Sequence, residues 1–100
     1  MQLFVINWSF QNAEDQLFAT NEFCEYFKNN GMNELGEGLE LKFFVHTPQD
    51  GSGTIICRAQ NATLVFNLLQ MWRENYNISF NIKPAFTNEE LIDLHLSAKR

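Results

Sequence analysis

The alternation of apolar and polar residues predicts four β-strands. The first covers residues 2–10, where the even-numbered residues from Phe4 to Phe10 would share one face. The other three strands are predicted at LELKFFVH (39–46), TIICRA (54–59) and ISFNIK (78–83). Pro84 is expected to stop the fourth strand, since proline cannot donate a backbone hydrogen bond.

Helical spacing of apolar residues predicts three helices, each with a polar residue in position to cap it. Asn12 is the N-cap candidate of the first helix, and Asn61 or Thr63 that of the second. Thr87 and Glu90 match a capping box and open a short C-terminal helix. These caps separate the helices from the strands that precede them.

Glycine and proline mark the predicted turns. Gly31 is expected just after the first helix, followed by an acidic loop, MNELGEG. The segment TPQDGSG predicts a hairpin turn in which Gly51 and Gly53 adopt positive φ. The second and third strands are therefore expected to pair as a hairpin.

The predicted order of elements is βαββαβ followed by a C-terminal helix. This order is typical of an α+β, ferredoxin-like fold with a four-stranded antiparallel sheet in the order 4-1-3-2. Right-handed crossovers would place the two main helices on the same face of the sheet. A chain of 100 residues is short for two hydrophobic cores, so we expect a single domain over residues 1–100.

The same alternation assigns side chains to the two faces of the sheet. Phe43 and Val45 are expected under the helices, together with Trp8. The opposite face is expected to carry a mixed set of side chains: Leu3, Val5, Phe44 and Ile56 as apolar members, and Asn7, His46, Arg58 and Asn81 as polar members. An exposed apolar patch usually marks a contact surface.

Two functions suit this mixed face. Its apolar members Leu3, Val5, Phe44 and Ile56 are candidates for a homodimer interface. Its polar members Asn7, His46, Arg58 and Asn81 are candidates for orienting a small ligand. Either function would accommodate a carboxamide in the middle of the apolar first strand, because Asn7 needs a hydrogen-bonding partner or water.

Charge and composition exclude several classes of function. The formal net charge is −5, which argues against nucleic-acid binding and against an anionic membrane surface. No signal sequence or membrane span is visible, so a cytoplasmic protein with reduced Cys24 and Cys57 in its core is expected. The two His and two Cys residues show no metal-ligand spacing, and no metal or cofactor is predicted.

The segments VINW and GSGTIICRAQNATLVFNLLQMW resemble an uncharacterised family of small bacterial domains of the dimeric α/β-barrel superfamily. The similarity is carried by Trp8, Gly51, Gly53, Asn61 and Trp72. It implies two sheets packed back to back across a two-fold axis, and it implies no activity.

The same superfamily includes haem-degrading and quinone-forming monooxygenases. Some haem-degrading members use an Asn on the first strand, a Trp and a His. Asn7 and Trp72 match two of these, but no His follows Trp72.

Three functional hypotheses remain open from the sequence. The first is a homodimeric binding or assembly domain without catalysis. The second is a ligand-binding protein or cofactor-free enzyme of the monooxygenase kind, with its pocket on the sheet face away from the helices. The third is a regulator that binds a protein partner through its acidic surface. Whether the chain is an enzyme is not decided by its residues.

Overall fold

The computed structural model describes residues 1–30 and 38–98, and the side chains of all of these except 29 and 30. Its elements are β1 (Gln2–Phe10), α1 (Ala13–Asn30), β2 (Leu39–Thr47), a 3₁₀ turn (Pro48–Asp50), β3 (Ser52–Ala59), α2 (Ala62–Tyr76), β4 (Ile78–Ala85) and α3 (Asn88–Ala98). The predicted helix end at Gly31, and the predicted loop apart from Gly38, lie outside the described residues.

The four strands form one antiparallel sheet in the order β2-β3-β1-β4. The fold is therefore α+β with three helices, consistent with the predicted ferredoxin-like arrangement and strand order. Both α1 and α2 cover the same face of this sheet. The core lies there, because Phe4 and Ile6 of β1 are buried with Val65 and Leu69 of α2.

The predicted helix caps are confirmed. The Asn12 and Asn61 side chains each accept a hydrogen bond of 2.8 Å from the backbone N–H three residues later, so Asn61 rather than Thr63 caps α2. At α3, the Glu90 carboxylate accepts from the Thr87 N–H at 3.0 Å, while the Thr87 hydroxyl accepts from the Glu90 N–H at 3.2 Å. This reciprocal pair is the capping box expected from the sequence.

A β-bulge in β2 changes which side chains face the helices. Leu41 lies opposite Cys57, but Phe43 lies opposite Ile56, so β2 carries one residue more than β3 over this stretch. Successive side chains of a strand point to opposite faces. One extra residue therefore reverses the inward and outward positions for the rest of β2.

The bulge corrects the predicted faces of the second strand. Phe44 and His46 lie on the helix-covered face, whereas Phe43 and Val45 are 64% and 50% exposed on the opposite face. The sequence pattern predicted these four side chains on the opposite faces. That prediction was wrong because it assumed that inward and outward side chains alternate without interruption along β2. Because Phe43 and Phe44 are both apolar, either one could face the core, so the sequence does not locate the bulge.

Two predictions about Gly and Pro also need correction. Pro84 does not end β4, which continues to Ala85 with Pro84 opposite Phe4. β4 is an edge strand, where a residue without an N–H is tolerated. Gly51 has a φ of 69° as expected, but Gly53 lies within β3 and has no positive φ.

The C-terminal helix α3 packs little against the rest of the domain. None of its residues is buried, and Leu91, Ile92, Leu94 and Leu96 are each about half exposed. The domain measures 52 Å along its longest axis and 26 and 20 Å along the others. Across residues 1–30 and 38–98, no helix is long and apolar enough to span a bilayer.

We call the sheet surface away from α1 and α2 the open face. Its members from the two central strands are Leu3, Val5, Asn7 and Ser9 of β1, and Ser52, Thr54, Ile56 and Arg58 of β3. The edge strands add Phe43, Val45, Asn81 and Lys83. The open face therefore mixes apolar and polar side chains, as expected, but with Phe43 and Val45 in place of Phe44 and His46.

Candidate functional site

A half-open pocket of about 260 Å³ lies between α1, α2 and the covered face of the sheet. Phe and Trp side chains are the largest group in its wall: Trp8, Phe10, Phe23, Phe27, Phe44, Trp72 and Phe80. Aliphatic residues such as Ile55, Leu69 and Ile78 and a few polar residues complete it. Such a mostly apolar concavity with few polar groups is typical of small-molecule sites.

Gly53 makes room for the indole ring that forms the inner wall. It pairs with Trp8 on one side and with His46 on the other. A Cβ at this position would lie 2.0 Å from Cζ2 of Trp8, so the ring occupies the space that any other residue would fill. The Trp8 indole therefore lies over Gly53 of β3, beside His46.

Three aromatic rings surround the imidazole of His46. Its ring centroid lies 4.8 Å from that of Phe23, 5.0 Å from Phe44 and 5.3 Å from Trp8. The Phe44 ring is stacked on it at 15°, and the other two meet it edge to face. The β2 bulge produces this cluster, because without it Phe44 and His46 would point to the open face.

His46 is a neutral hydrogen-bonding group without a partner among the described residues. Partial burial against the rings lowers its pKa from the ordinary value of 6.5, since the charged form loses hydration. The folded state therefore disfavours its protonation. At pH 7 the imidazole is neutral, and it offers one N–H donor and one acceptor nitrogen.

Two other polar side chains near the pocket, unlike His46, are hydrogen-bonded. The Gln16 amide donates to the Pro48 carbonyl oxygen at 2.7 Å. The Ser52 hydroxyl donates to the Asp50 carboxylate and lies 3.1 Å from the Thr47 hydroxyl. The Gln16 amide is therefore engaged at the pocket rim, and the Ser52 hydroxyl is engaged at the end of β3.

The predicted ligand residues do not come together. Asn7 and Asn81 are directly paired on the open face, and Asn7 accepts a 2.8 Å hydrogen bond from the Thr54 hydroxyl. Arg58 is four residues further along β3 than Thr54, or about 13 Å. His46 is on the opposite face. The carboxamide of Asn7 thus has a partner on a solvated surface and needs no ligand to satisfy it.

Arg58 is engaged with the start of α3 and the chain terminus. Its guanidinium donates to the Met1 carbonyl oxygen at 3.0 Å and to Glu90 Oε1 at 3.4 Å. The Thr87 N–H, and then Arg58, hold the pKa of the Glu90 carboxyl below its usual range. This bonding gives Arg58 a structural role in fixing the base of α3.

Three of the four predicted interface residues share the open face. Leu3, Val5 and Ile56 are partly buried there, on the two central strands. Phe44 lies on the other face and lines the pocket. The prediction that Phe44 belongs to the interface patch was wrong because the bulge turns its side chain to the helix-covered face.

The chain matches one family model, described as a domain of unknown function (DUF3303), over residues 2–99. It belongs to the DUF3303 family. No curated protein and no solved structure shows significant similarity to it.

The cysteines of this DUF3303 chain lie in different environments. Cys57 is fully buried, and burial raises the pKa of its thiol. Cys24 is exposed and lines the pocket, so the prediction that both lie in the core holds for Cys57 alone. Within the described ranges, no three His, Cys, Asp or Glu side chains are grouped to hold a metal ion.

Sequence reasoning missed the pocket of this family member because it treated the aromatic residues as core. Phe23, Phe27 and Trp72 show ordinary helical spacing. One signal was available: Gly53 directly precedes the predicted third strand, and a glycine within a strand indicates close approach of another group. The strand register was needed to identify that group as Trp8.

Proposed function

We propose that this domain binds a small organic molecule in the pocket between α1, α2 and the sheet. The observation that carries the proposal is the aromatic cavity of about 260 Å³ open to solvent on one side. Apolar cavities of about 150 Å³ in a protein core accept benzene. A larger one with an entrance and an unpaired His46 beside it is suited to reversible binding.

Blocking the entrance tests the proposal. Thr20 lines the pocket and is exposed, so Thr20→Trp should fill the entrance without disturbing the core. Its neighbour Asn21 is also exposed and does not line the pocket, which makes Asn21→Trp the matched control. We expect small aromatic compounds to raise the melting temperature of the wild type and of Asn21→Trp, but not that of Thr20→Trp.

Two results would contradict the proposed binding of a small molecule in the pocket. A screen of small aromatic and aliphatic compounds that raises the melting temperature of no variant would reject the pocket as a binding site. So would an equal rise in Thr20→Trp and the wild type, because the compounds would then bind elsewhere.

We also propose that a second copy of the chain covers the open face, as in the dimeric α/β-barrel proteins that the sequence resembles. The favouring observations are the exposure of Phe43 and Val45 on the open face and the exposure of the apolar side chains of α3. Four strands of eight or nine residues present about 500 Å² in projection. A standard interface buries about 800 Å² per partner, so the side chains of α3 would add to the buried surface.

Charge complementarity supports a second copy as the occupant. The open face and its margins carry the basic side chains of Lys42, Arg58 and Lys83 and the acidic side chains of Glu40 and Asp50. Among the described residues of α3, Glu90 is paired with Arg58 of its own chain, Glu89 and Asp93 add two more carboxylates, and none is Lys or Arg. In a two-fold dimer, the acidic helix of each copy would lie near the basic side chains of the other.

A charge on the open face should dissociate this dimer. Phe43→Lys places an ammonium group on the patch, and Leu17→Lys is the control because Leu17 on α1 is also 64% exposed. By sedimentation velocity we expect a dimer for the wild type and Leu17→Lys, and a monomer for Phe43→Lys. A monomeric wild type at about 100 μM, far above the Kd of a standard interface, would refute the proposal.

A further inference from the structure

We infer that the pocket takes an uncharged aromatic molecule of about two fused rings, held by a hydroxyl group that hydrogen-bonds to His46. The inference rests on the proposed binding function and adds the chemical class of the ligand. Three properties of the pocket carry it: its size, the absence of charge in its wall, and the unpaired imidazole.

The size of the pocket sets the size of the ligand. A closed apolar cavity of about 150 Å³ holds one benzene ring. At about 260 Å³, this pocket has room for a second fused ring. Its walls are ring faces and edges from Trp8, Phe23, Phe44 and Trp72, so a flat aromatic molecule could stack against more than one of them.

The wall carries no formal charge in the part of the chain that the structure describes. None of its residues is Lys, Arg, Asp or Glu, and its imidazole is neutral at pH 7. A carboxylate or phosphate moved from water into such a pocket would lose hydration without gaining an opposite charge. The pocket therefore disfavours anionic ligands, including haem with its propionates and flavin nucleotides with their phosphates.

His46 supplies the polar contact. The Gln16 amide is already bonded at the rim, and the Thr20 hydroxyl is exposed on α1. The His46 imidazole lies among three aromatic rings, is exposed to water, and has no hydrogen bond to a described residue. A ligand hydroxyl can donate to one imidazole nitrogen or accept from the other. It would align the ligand with its polar end at β2 and its rings beside Trp8 and Phe23.

Three probes of nearly equal shape separate these properties. Naphthalene has the two rings alone, 2-naphthol adds a neutral hydroxyl, and 2-naphthoate adds a charge. With quenching of protein tryptophan fluorescence or calorimetry at pH 7.5, we expect 2-naphthol to bind about three- to tenfold more tightly than naphthalene, the effect of one hydrogen bond. We expect 2-naphthoate to bind at least about tenfold more weakly than 2-naphthol.

Variants of His46 test whether this residue causes the tighter binding of 2-naphthol over naphthalene. His46→Phe should bind 2-naphthol and naphthalene equally, and His46→Gln, which keeps a hydrogen-bonding group, should retain part of the preference. His95→Phe on the exposed helix α3 is the control and should behave as the wild type. Circular dichroism confirms that each variant is folded.

The results distinguish a failure of the proposed binding function from a failure of the inferred ligand class. If none of the three probes binds, the binding function itself is rejected. If naphthalene binds as tightly as 2-naphthol, if 2-naphthoate binds best, or if His46→Phe keeps the full preference, the pocket stands and the inferred ligand class is wrong.

Discussion

Replacing Gly53 by alanine is expected to destabilise the domain by about 3 kcal/mol, the upper part of the range for overpacked cores. The added Cβ would lie 2.0, 2.2 and 2.6 Å from three atoms of the Trp8 indole. That ring is 8% exposed and packs edge to face on Phe44, so its displacement breaks packing contacts of the core. Urea unfolding followed by circular dichroism measures the loss.

The neighbouring residue on the same strand provides the control. Thr54→Ala removes a hydroxyl on the open face that donates to Asn7, and exposed hydrogen bonds of this kind contribute about 1 kcal/mol or less. A Gly53→Ala protein with the wild-type midpoint would show that the indole does not lie over β3. In the expected case, the same variant should also lose ligand binding, because displacement of Trp8 fills the pocket.

Two adjacent phenylalanines should respond very differently to truncation. Phe44→Ala is expected to cost about 2–3 kcal/mol, somewhat less than the 3–5 kcal/mol of a fully buried phenylalanine, because Phe44 is partly buried. Phe43→Ala should change stability by less than about 0.5 kcal/mol, since Phe43 is 64% exposed. Chemical denaturation of both variants at low protein concentration, where a dimer would be dissociated, gives the comparison.

This pair tests the bulge directly. With unbroken alternation in β2, the order of the two effects would be reversed, and a larger loss in Phe43→Ala would reject the register described here. Equal losses would also reject it, because opposite faces of this sheet differ in burial.

Local signals in the chain predicted much of the fold. The spacing of β1, the Asn12 and Asn61 caps and the Thr87–Glu90 capping box each depend on residues close in sequence. The order of elements then limited the sheet to few topologies, and the observed order β2-β3-β1-β4 is among them. These features follow from backbone hydrogen bonding and side-chain period alone.

The site was less predictable because it depends on one extra residue in β2. The segment LKFFVH contains no glycine or proline that would mark a bulge. The choice between Phe43 and Phe44 as the inward residue is made by packing on Trp8 and Phe23, which are distant in sequence. The position of His46, and with it the polar end of the pocket, follows from that choice.

Both outer strands of the sheet are poor templates for a further strand. β2 is interrupted by its bulge, and β4 contains Pro84, which has no N–H to offer a neighbour. Backbone pairing between copies would therefore be broken at either margin. Growth into ribbons or fibres is disfavoured on both sides, so association of this chain should end with a closed assembly even at high concentration.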